Sequence, residues 1–289
     1  MPLRFDNQFL KKLEYLHVVS KRALAGHNRA DRLTPTRGRG IEFADHRPYT
    51  AGDDYRHIDW KAYKRLNRLL LRLFDEERDL PIYLMVDVSR SMAEPAKFDM
   101  ARRLAAALCY IGLVHLDKLT ILPFDEALGR EYPAGRGKGR IFRVFDHLER
   151  LEPHGRTSLR EAIRQFASRP RQTGLVAVLS DFLDPEGDAG LKLLRTLGHD
   201  VFAVHVTSRR DRDAGALGEV RAVDAETGEV RAIDVTPRLA DAYAKAWEAH
   251  AGHLQSFCGR YDIGYVRADA ERPFEEIVLK TFRQGRFLA

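Results

Sequence analysis

Pro81-Ile82-Tyr83-Leu84-Met85-Val86-Asp87-Val88-Ser89-Arg90-Ser91-Met92 is the stretch that decides the fold. An unbroken apolar run reads as a buried strand, and it delivers an acid and two hydroxyls to its C-terminal end. In an open α/β sheet that end is where ligands bind. The D-x-S-x-S spacing sets three small oxygen side chains on one tight turn at the head of a helix, a donor set suited to a hard cation such as Mg²⁺.

One loop cannot complete a cation site, so later loops must supply oxygens at matching places. Thr157 lies in Glu152-Pro153-His154-Gly155-Arg156-Thr157-Ser158-Leu159, a turn leading into a helical pattern from Leu159 to Arg169. Asp181 follows a second apolar strand pattern, Leu175-Val176-Ala177-Val178-Leu179-Ser180. Singly, Asp181, Ser89, Ser91 and Thr157 could each be no more than helix caps. Together, Asp87, Ser89, Ser91, Thr157 and Asp181 resemble the metal-ion-dependent adhesion site of von Willebrand factor A domains, in that family's order. The resemblance implies Mg²⁺ or Mn²⁺ held through the neutral hydroxyls of Ser89, Ser91 and Thr157, with Asp87 and Asp181 acting mainly through water. Such an ion stays electrophilic and leaves a position for a carboxylate of another chain. No neighbouring residue is evidently poised as a general base, so a hydrolytic role is not expected.

The chain has 289 residues, and 44% apolar content is enough for one large α/β domain with an extension. Its two cysteines, Cys109 and Cys258, are far apart and in no C-x-x-C pattern, so neither a disulfide framework nor a zinc site is expected and a reducing cytoplasm is the natural home. Met1-Pro2-Leu3-Arg4-Phe5-Asp6 lacks the regions of a signal peptide. Leu104 to Leu116, the longest apolar stretch, falls short of the roughly 20 residues that span a bilayer and reads as a buried helix. Residues 1 to 80 hold 17 basic against 12 acidic side chains, so most of the net charge of +6 sits there. The basic groups are Lys21, Arg22, Arg29, Arg32, Arg37 and Arg39, then Lys61, Lys64, Arg65, Arg68 and Arg72. They could meet nucleic acid or an acidic protein. Without a helix-turn-helix, zinc or aromatic-stacking motif, the protein partner is the expectation.

A helix is expected from about Asn7 to Ala25, then a segment dense in acids, arginines and aromatics: Gly40-Ile41-Glu42-Phe43, Arg47-Pro48-Tyr49, and Gly52-Asp53-Asp54-Tyr55-Arg56-His57-Ile58-Asp59-Trp60. These pieces, followed by Asp87 to Met92, resemble in order the signature of the "domain of unknown function 58" family, a bacterial branch of von Willebrand A-like proteins. The resemblance implies a MoxR-type AAA+ ATPase as partner, with the A domain handling that ATPase or a client protein offering a Glu or Asp. Many relatives carry transmembrane helices before this region; no such helix is expected here. Trp60 and Tyr49 are expected as buried anchors. Asp53 and Asp54 are expected to form internal salt bridges with Arg39, Arg47 and Arg56.

The expected architecture is α/β: a doubly wound, mostly parallel, von Willebrand A-like (Rossmann-like) sheet with helices on both faces over residues 81–289, carrying a β-hairpin insertion near 219–235. An N-terminal extension, 1–80, is expected to pack on it, with the signature at 37–60. Within the core domain a strand is expected near Leu128–Tyr132 and a long helix from Pro237 to Cys258 stopped by Gly259. Gly135-Arg136-Gly137-Lys138-Gly139 fails the phosphate-loop template and is expected to be a solvated basic loop. His250 and His253 are expected on a solvated helix face. Asp87 could alternatively be the nucleophile of a haloacid dehalogenase-like phosphatase. Ser89 stands where that family places its second Asp, so a non-catalytic interaction protein is the expectation.

Overall fold

The computed structural model describes residues 5, 7–24, 37–38, 42–50, 55–75, 81–213, 215 and 217–284. Two units emerge, residues 1–26 with 80–288, and residues 27–79 with the terminal Ala289. The extension expected over residues 1–80 is thus divided. Helix α1 (Asn7–Leu24) goes with the larger unit, because its apolar stripe has somewhere to go: Leu13 and Leu16 are buried, and the Phe9 ring packs 5.8 Å from that of Phe145 and 5.4 Å from that of Phe274.

In the smaller unit, β1 (Arg37–Gly38), β2 (Glu42–Pro48) and β3 (Leu70–Asp75) form an antiparallel sheet of order β1-β3-β2, with α2 (Trp60–Leu66) between β2 and β3. Glu42, Phe43 and Arg47 lie on β2, and Tyr49 just after it is half-buried. Asp59 is the N-cap of α2: its Oδ1 accepts from the backbone N–H of Lys61 at 2.9 Å and of Ala62 at 3.0 Å. Its own N–H donates to Leu70 O, which ties the helix start to β3. Trp60 is 58% exposed rather than buried, since the first residue after the cap projects outward while Ala62 supplies the buried contact. Arg56 is also exposed. Gly40, Gly52, Asp53, Asp54 and Arg39 lie outside the described residues, as do the salt bridges expected of them.

The larger unit is built on a six-stranded sheet. Its chain order runs β4 (Ile82–Asp87), α3 (Pro95–Val114), β5 (Leu119–Phe124), β6 (Tyr132–Gly135), α4 (Ile141–Glu149), α5 (Leu159–Ala167), β7 (Leu175–Ser180), α6 (Gly187–Thr196), β8 (Asp200–Thr207), α7 (Arg209–Arg212), β9 (Gly218–Val223), β10 (Val230–Val235), α8 (Pro237–Arg260), β11 (Gly264–Asp269) and α9 (Phe274–Gln284). The spatial order is β11-β8-β7-β4-β5-β6; all neighbours are parallel except β6, which runs antiparallel at the edge. This is the doubly wound, von Willebrand A-like arrangement. Helices α1, α3, α4 and α9 pack on one face through residues such as Leu84 and Val86, and α5, α6 and α8 on the other through Tyr83 and Met85. Burial on both faces explains why β4 and β7 are uninterrupted apolar runs.

The edge strand is displaced from Leu128–Tyr132 to Tyr132–Gly135. Leu128 makes only an isolated bridge to Phe124, because Asp125–Arg130 is taken up in turning the chain. Lys138, in the glycine-rich loop, pairs with Glu14 at 2.6 Å. Among the described residues the hairpin β9–β10 pairs only with itself. Helix α8 runs through Gly259 to Arg260, and the left-handed residue that turns the chain is Asp262 (φ +53°). On that helix His253 pairs with Asp188 at 2.6 Å, whereas His250 turns its Nε2 out of solvent, its ring 6.1 Å from that of His205. Both cysteines are free and buried. Among the described residues no helix is long and apolar enough to cross a membrane.

Candidate functional site

β4 and β7 are neighbours, and from them the chain winds outward in opposite directions, through β5 and β6 on one side and β8 and β11 on the other. Their C-terminal ends therefore flank the topological switch point, the crevice where a doubly wound sheet binds ligands. Asp87 ends β4 and Asp181 follows β7 directly; both are essentially inaccessible to solvent.

The turn after β4 is built by Asp87 itself. Its Oδ1 accepts the N–H of Ser89 at 2.9 Å, and its Oδ2 accepts the hydroxyl of Ser180 at 2.5 Å. Ser180 Oγ in turn accepts the N–H of Phe182 at 3.0 Å, so one serine bridges the two strand ends. Ser89 Oγ and Ser91 Oγ stand 2.9 Å apart, and fully buried Met92 anchors the far side of the turn.

The loop that carries Thr157 is stitched to this turn. His154 N–H donates to Val88 O at 2.6 Å and Arg90 N–H to Gly155 O at 3.2 Å. Gly155 has φ +66°, and a Cβ there would stand 2.5 Å from Asp125 Oδ2, so both backbone and space demand glycine. The N-terminus of α5 is capped from a third loop: Leu159 N–H donates to Asp184 Oδ2 at 2.8 Å. Ser158 makes no side-chain cap bond, and neither does Ser89. Thr157 Oγ1 is buried without a hydrogen-bond partner. A buried hydroxyl without a partner is costly to leave so, and it demands an explanation. Thr157 N–H donates to Glu226 Oε1, at the tip of the β9–β10 hairpin, at 3.0 Å.

Around the two acids the electrostatics diverge. Lys97, in the first turn of α3, is fully buried and donates to Asp181 Oδ2 at 2.8 Å, Asp211 Oδ1 at 2.9 Å and Ser91 O at 3.2 Å. Burial pushes the Asp181 carboxyl up, but the Lys97 ammonium outweighs it and holds the acid below the ordinary carboxylate range. Lys97 is likewise kept protonated against its own burial by Asp181 and Asp211. Asp87 forms no ion pair among the described residues; burial first, and then the charge of Asp181, push it up to about 7 despite its hydrogen bonds.

Asp87, Ser89, Ser91 and Asp181 are thus gathered at one crevice, with Thr157 on a loop bonded to the same turn. Lys97, Ser180, Asp184 and Glu226 are additions. Lys97 alone carried a signal in the sequence, standing in register with the buried stripe Ala101, Leu104, Leu108 of its helix. The arrangement is rich in hydroxyls; no group of three or more His, Cys, Asp or Glu placed to hold a metal occurs among the described residues. By the chemistry of its donors it would suit a hard cation: two adjacent serine hydroxyls, one unpartnered buried threonine hydroxyl and a buried acid without an ion-pair partner among the described residues.

A family model described as "Protein of unknown function DUF58" matches residues 45–253, a span that begins after Gly40, Glu42 and Phe43. Two curated relatives, uncharacterized protein Mb1516 of Mycobacterium bovis and uncharacterized protein Rv1480 of Mycobacterium tuberculosis, are each 30% identical over 254 residues, covering 85% of this chain and 80% of the relative. Among solved structures, an aerotolerance-related membrane protein of Bacteroides fragilis is 17% identical with a TM-score of 0.45, covering 71% of this chain and 98% of that one. The protein BatB of Bacteroides thetaiotaomicron is also 17% identical, with a TM-score of 0.44 over 71% and 97%. The strand order, rather than these loose likenesses, defines the fold class.

Proposed function

The chain belongs to the DUF58 family of proteins of unknown function, and from that premise we propose that it is a non-catalytic interaction protein that grips a partner's Glu or Asp through a Mg²⁺- or Mn²⁺-dependent adhesion site. The observation that carries this reading is the buried, unpartnered Oγ1 of Thr157 beside a turn that already presents the hydroxyls of Ser89 and Ser91. Those three hydroxyls would hold the cation, with Asp87 and Asp181 behind them. When bound, the cation supplies an electrophilic acceptor for a carboxylate oxygen.

The chain's own residues prepare that event. Ser180 and the Ser89 amide orient Asp87, while its raised pKa leaves negative charge to be drawn out when a cation arrives. Lys97 already neutralises Asp181, so the first shell stays poor in negative charge and a further carboxylate is welcome. On the family resemblance, the partner is a MoxR-type AAA+ ATPase or its client. Calorimetric titration of Mg²⁺ and Mn²⁺ tests the reading: saturable binding by the wild type, at least tenfold weaker in Ser89→Ala, together with metal-dependent association with the ATPase, is expected. Equal titration of both proteins, or association indifferent to chelator, would refute it.

A further inference from the structure

The hairpin β9–β10 carries one residue whose place is set with unusual care. Its strands face solvent along most of their length, and a two-stranded ribbon standing alone is marginally stable. Its turn, however, is fixed: Asp224 Oδ1 accepts the N–H of Glu226 at 2.9 Å and of Thr227 at 2.7 Å, Gly228 N–H donates to Asp224 O, and Gly228 takes φ +73°. This turn aims Glu226, which is half-buried between exposed Ala225 and Thr227, back at the strand-end crevice. Its Oε1 accepts the N–H of Thr157, the residue whose own hydroxyl is buried without a partner.

We propose that Glu226 is a built-in carboxylate belonging to the cation site, a tethered stand-in for the partner's Glu or Asp, so that the hairpin must lift before a partner binds. The proposal rests on the adhesion-site reading above and adds to it a residue that neither the spacing of the D-x-S-x-S loop nor the family match assigns. The physical reason is proximity. A carboxylate held on a short, fixed hairpin competes at an effective concentration in the millimolar range, whereas a partner's acid arrives from dilute solution. A partner that also engages the exposed hairpin strands pulls the tether away as it binds. One with only a carboxylate to offer does not. Selectivity for a partner surface, rather than for any acidic side chain, follows.

Water-proton relaxation on the full chain loaded with Mn²⁺ tests this, with acetate as the probe carboxylate. Glu226→Ala is expected to raise the relaxation per bound Mn²⁺, because exchangeable water enters where the carboxylate stood. Acetate should then reverse that gain at roughly tenfold lower concentration than it affects the wild type. Glu226→Gln, which keeps an acceptor for Thr157 N–H, should behave like Glu226→Ala toward acetate, separating charge from hairpin position. Glu229→Ala, altering a hairpin acid that pairs with Arg231 instead, should match the wild type. Mn²⁺ binding that is saturable but indifferent to Glu226 in both relaxation and acetate response would overturn the proposal and leave the adhesion site standing. A wild-type chain with no saturable Mn²⁺ binding would overturn both.

Discussion

Asp87 and Asp181 sit at the ends of adjacent strands and are equally buried, yet they are solved in opposite ways. Asp181 faces a built-in cation, the Lys97 ammonium 2.8 Å away, and is held ionised. Asp87 has hydroxyl and amide donors only, and burial drives it up to about 7. A buried carboxylate must be paired, hydrogen-bonded or neutralised. The molecule uses the first device at one strand end and leaves the second end short of positive charge. On the proposed adhesion-site reading, an external cation has most to offer on the Asp87 side of the crevice, among Ser89, Ser91 and Thr157.

Removing the internal cation is the most forceful way to break the contrast. Lys97→Met leaves the buried Asp181 and the half-buried Asp211 without their shared partner, and uncompensated charge at the depth of Asp181 costs about 3–5 kcal/mol. Chemical denaturation should show the midpoint falling accordingly at pH 7.5. A loss below about 1 kcal/mol would mean that water or rearrangement already satisfies Asp181.

His205 sharpens the contrast from the neighbouring strand. Burial, the largest influence, depresses its imidazole to about 3, although the Asp181 charge pulls the other way; His250, Arg267 and Lys97 also disfavour a second cation there, and Tyr265 OH lies 2.9 Å from its Nδ1. The unfolded chain takes up this proton near pH 6.5 while the folded chain does not, so the stability that neutral His205 confers is intact above that pH and is lost as pH falls toward 3. By pH 5 the loss is about 2 kcal/mol. In His205→Gln the fall in unfolding free energy between pH 7.5 and 5 should be smaller by that amount. The same slope in both proteins would show that His205 titrates normally and that Lys97 is not the only cation near Asp181.

The parts of this site that could be read from the chain are those written locally. β4 and β7 are continuous apolar runs that stop on an acid or just before one, because each is covered by helices on both faces. Their order gave the α/β class. The edge strand β6 was misplaced because Tyr132-Pro133-Ala134-Gly135 has neither an apolar run nor alternation, and only pairing with β5 makes it a strand. Gly259 does not stop α8, since Leu254 and Cys258 are buried and hold the helix on the sheet past it. Ser180 and Glu226 act across 93 and 69 residues of sequence, a distance at which no spacing rule operates. Asp59 lies between these cases: the signature marks its place before Trp60 without saying what it does, and its observed work is to cap α2 and tie it to β3.

The smallest effect on stability is expected where the contrast makes its most specific claim. Asn is nearly isosteric with a protonated Asp, keeps one oxygen to accept from Ser89 N–H while its NH2 faces Ser180 Oγ, which can turn its hydroxyl and accept, and carries no charge to bury. At Asp87, already pushed toward the neutral form, Asp87→Asn should therefore change the metal-free unfolding free energy at pH 7 by less than about 1 kcal/mol. Asp181→Asn, at an acid that is ionised and paired, should cost several times more, because it takes one of two carboxylate partners from the buried Lys97. With Mg²⁺ present the order of interest reverses. The wild type should gain thermal stability in proportion to metal occupancy, and Asp87→Asn, nearly silent without metal, should lose that gain. Thermal unfolding of the two variants with Mg²⁺ and with chelator compares the strand ends directly. Equal metal-free losses at both positions would place a counter-cation at Asp87 as well, and a Mg²⁺ gain that survives in Asp87→Asn would put the cation elsewhere in the crevice.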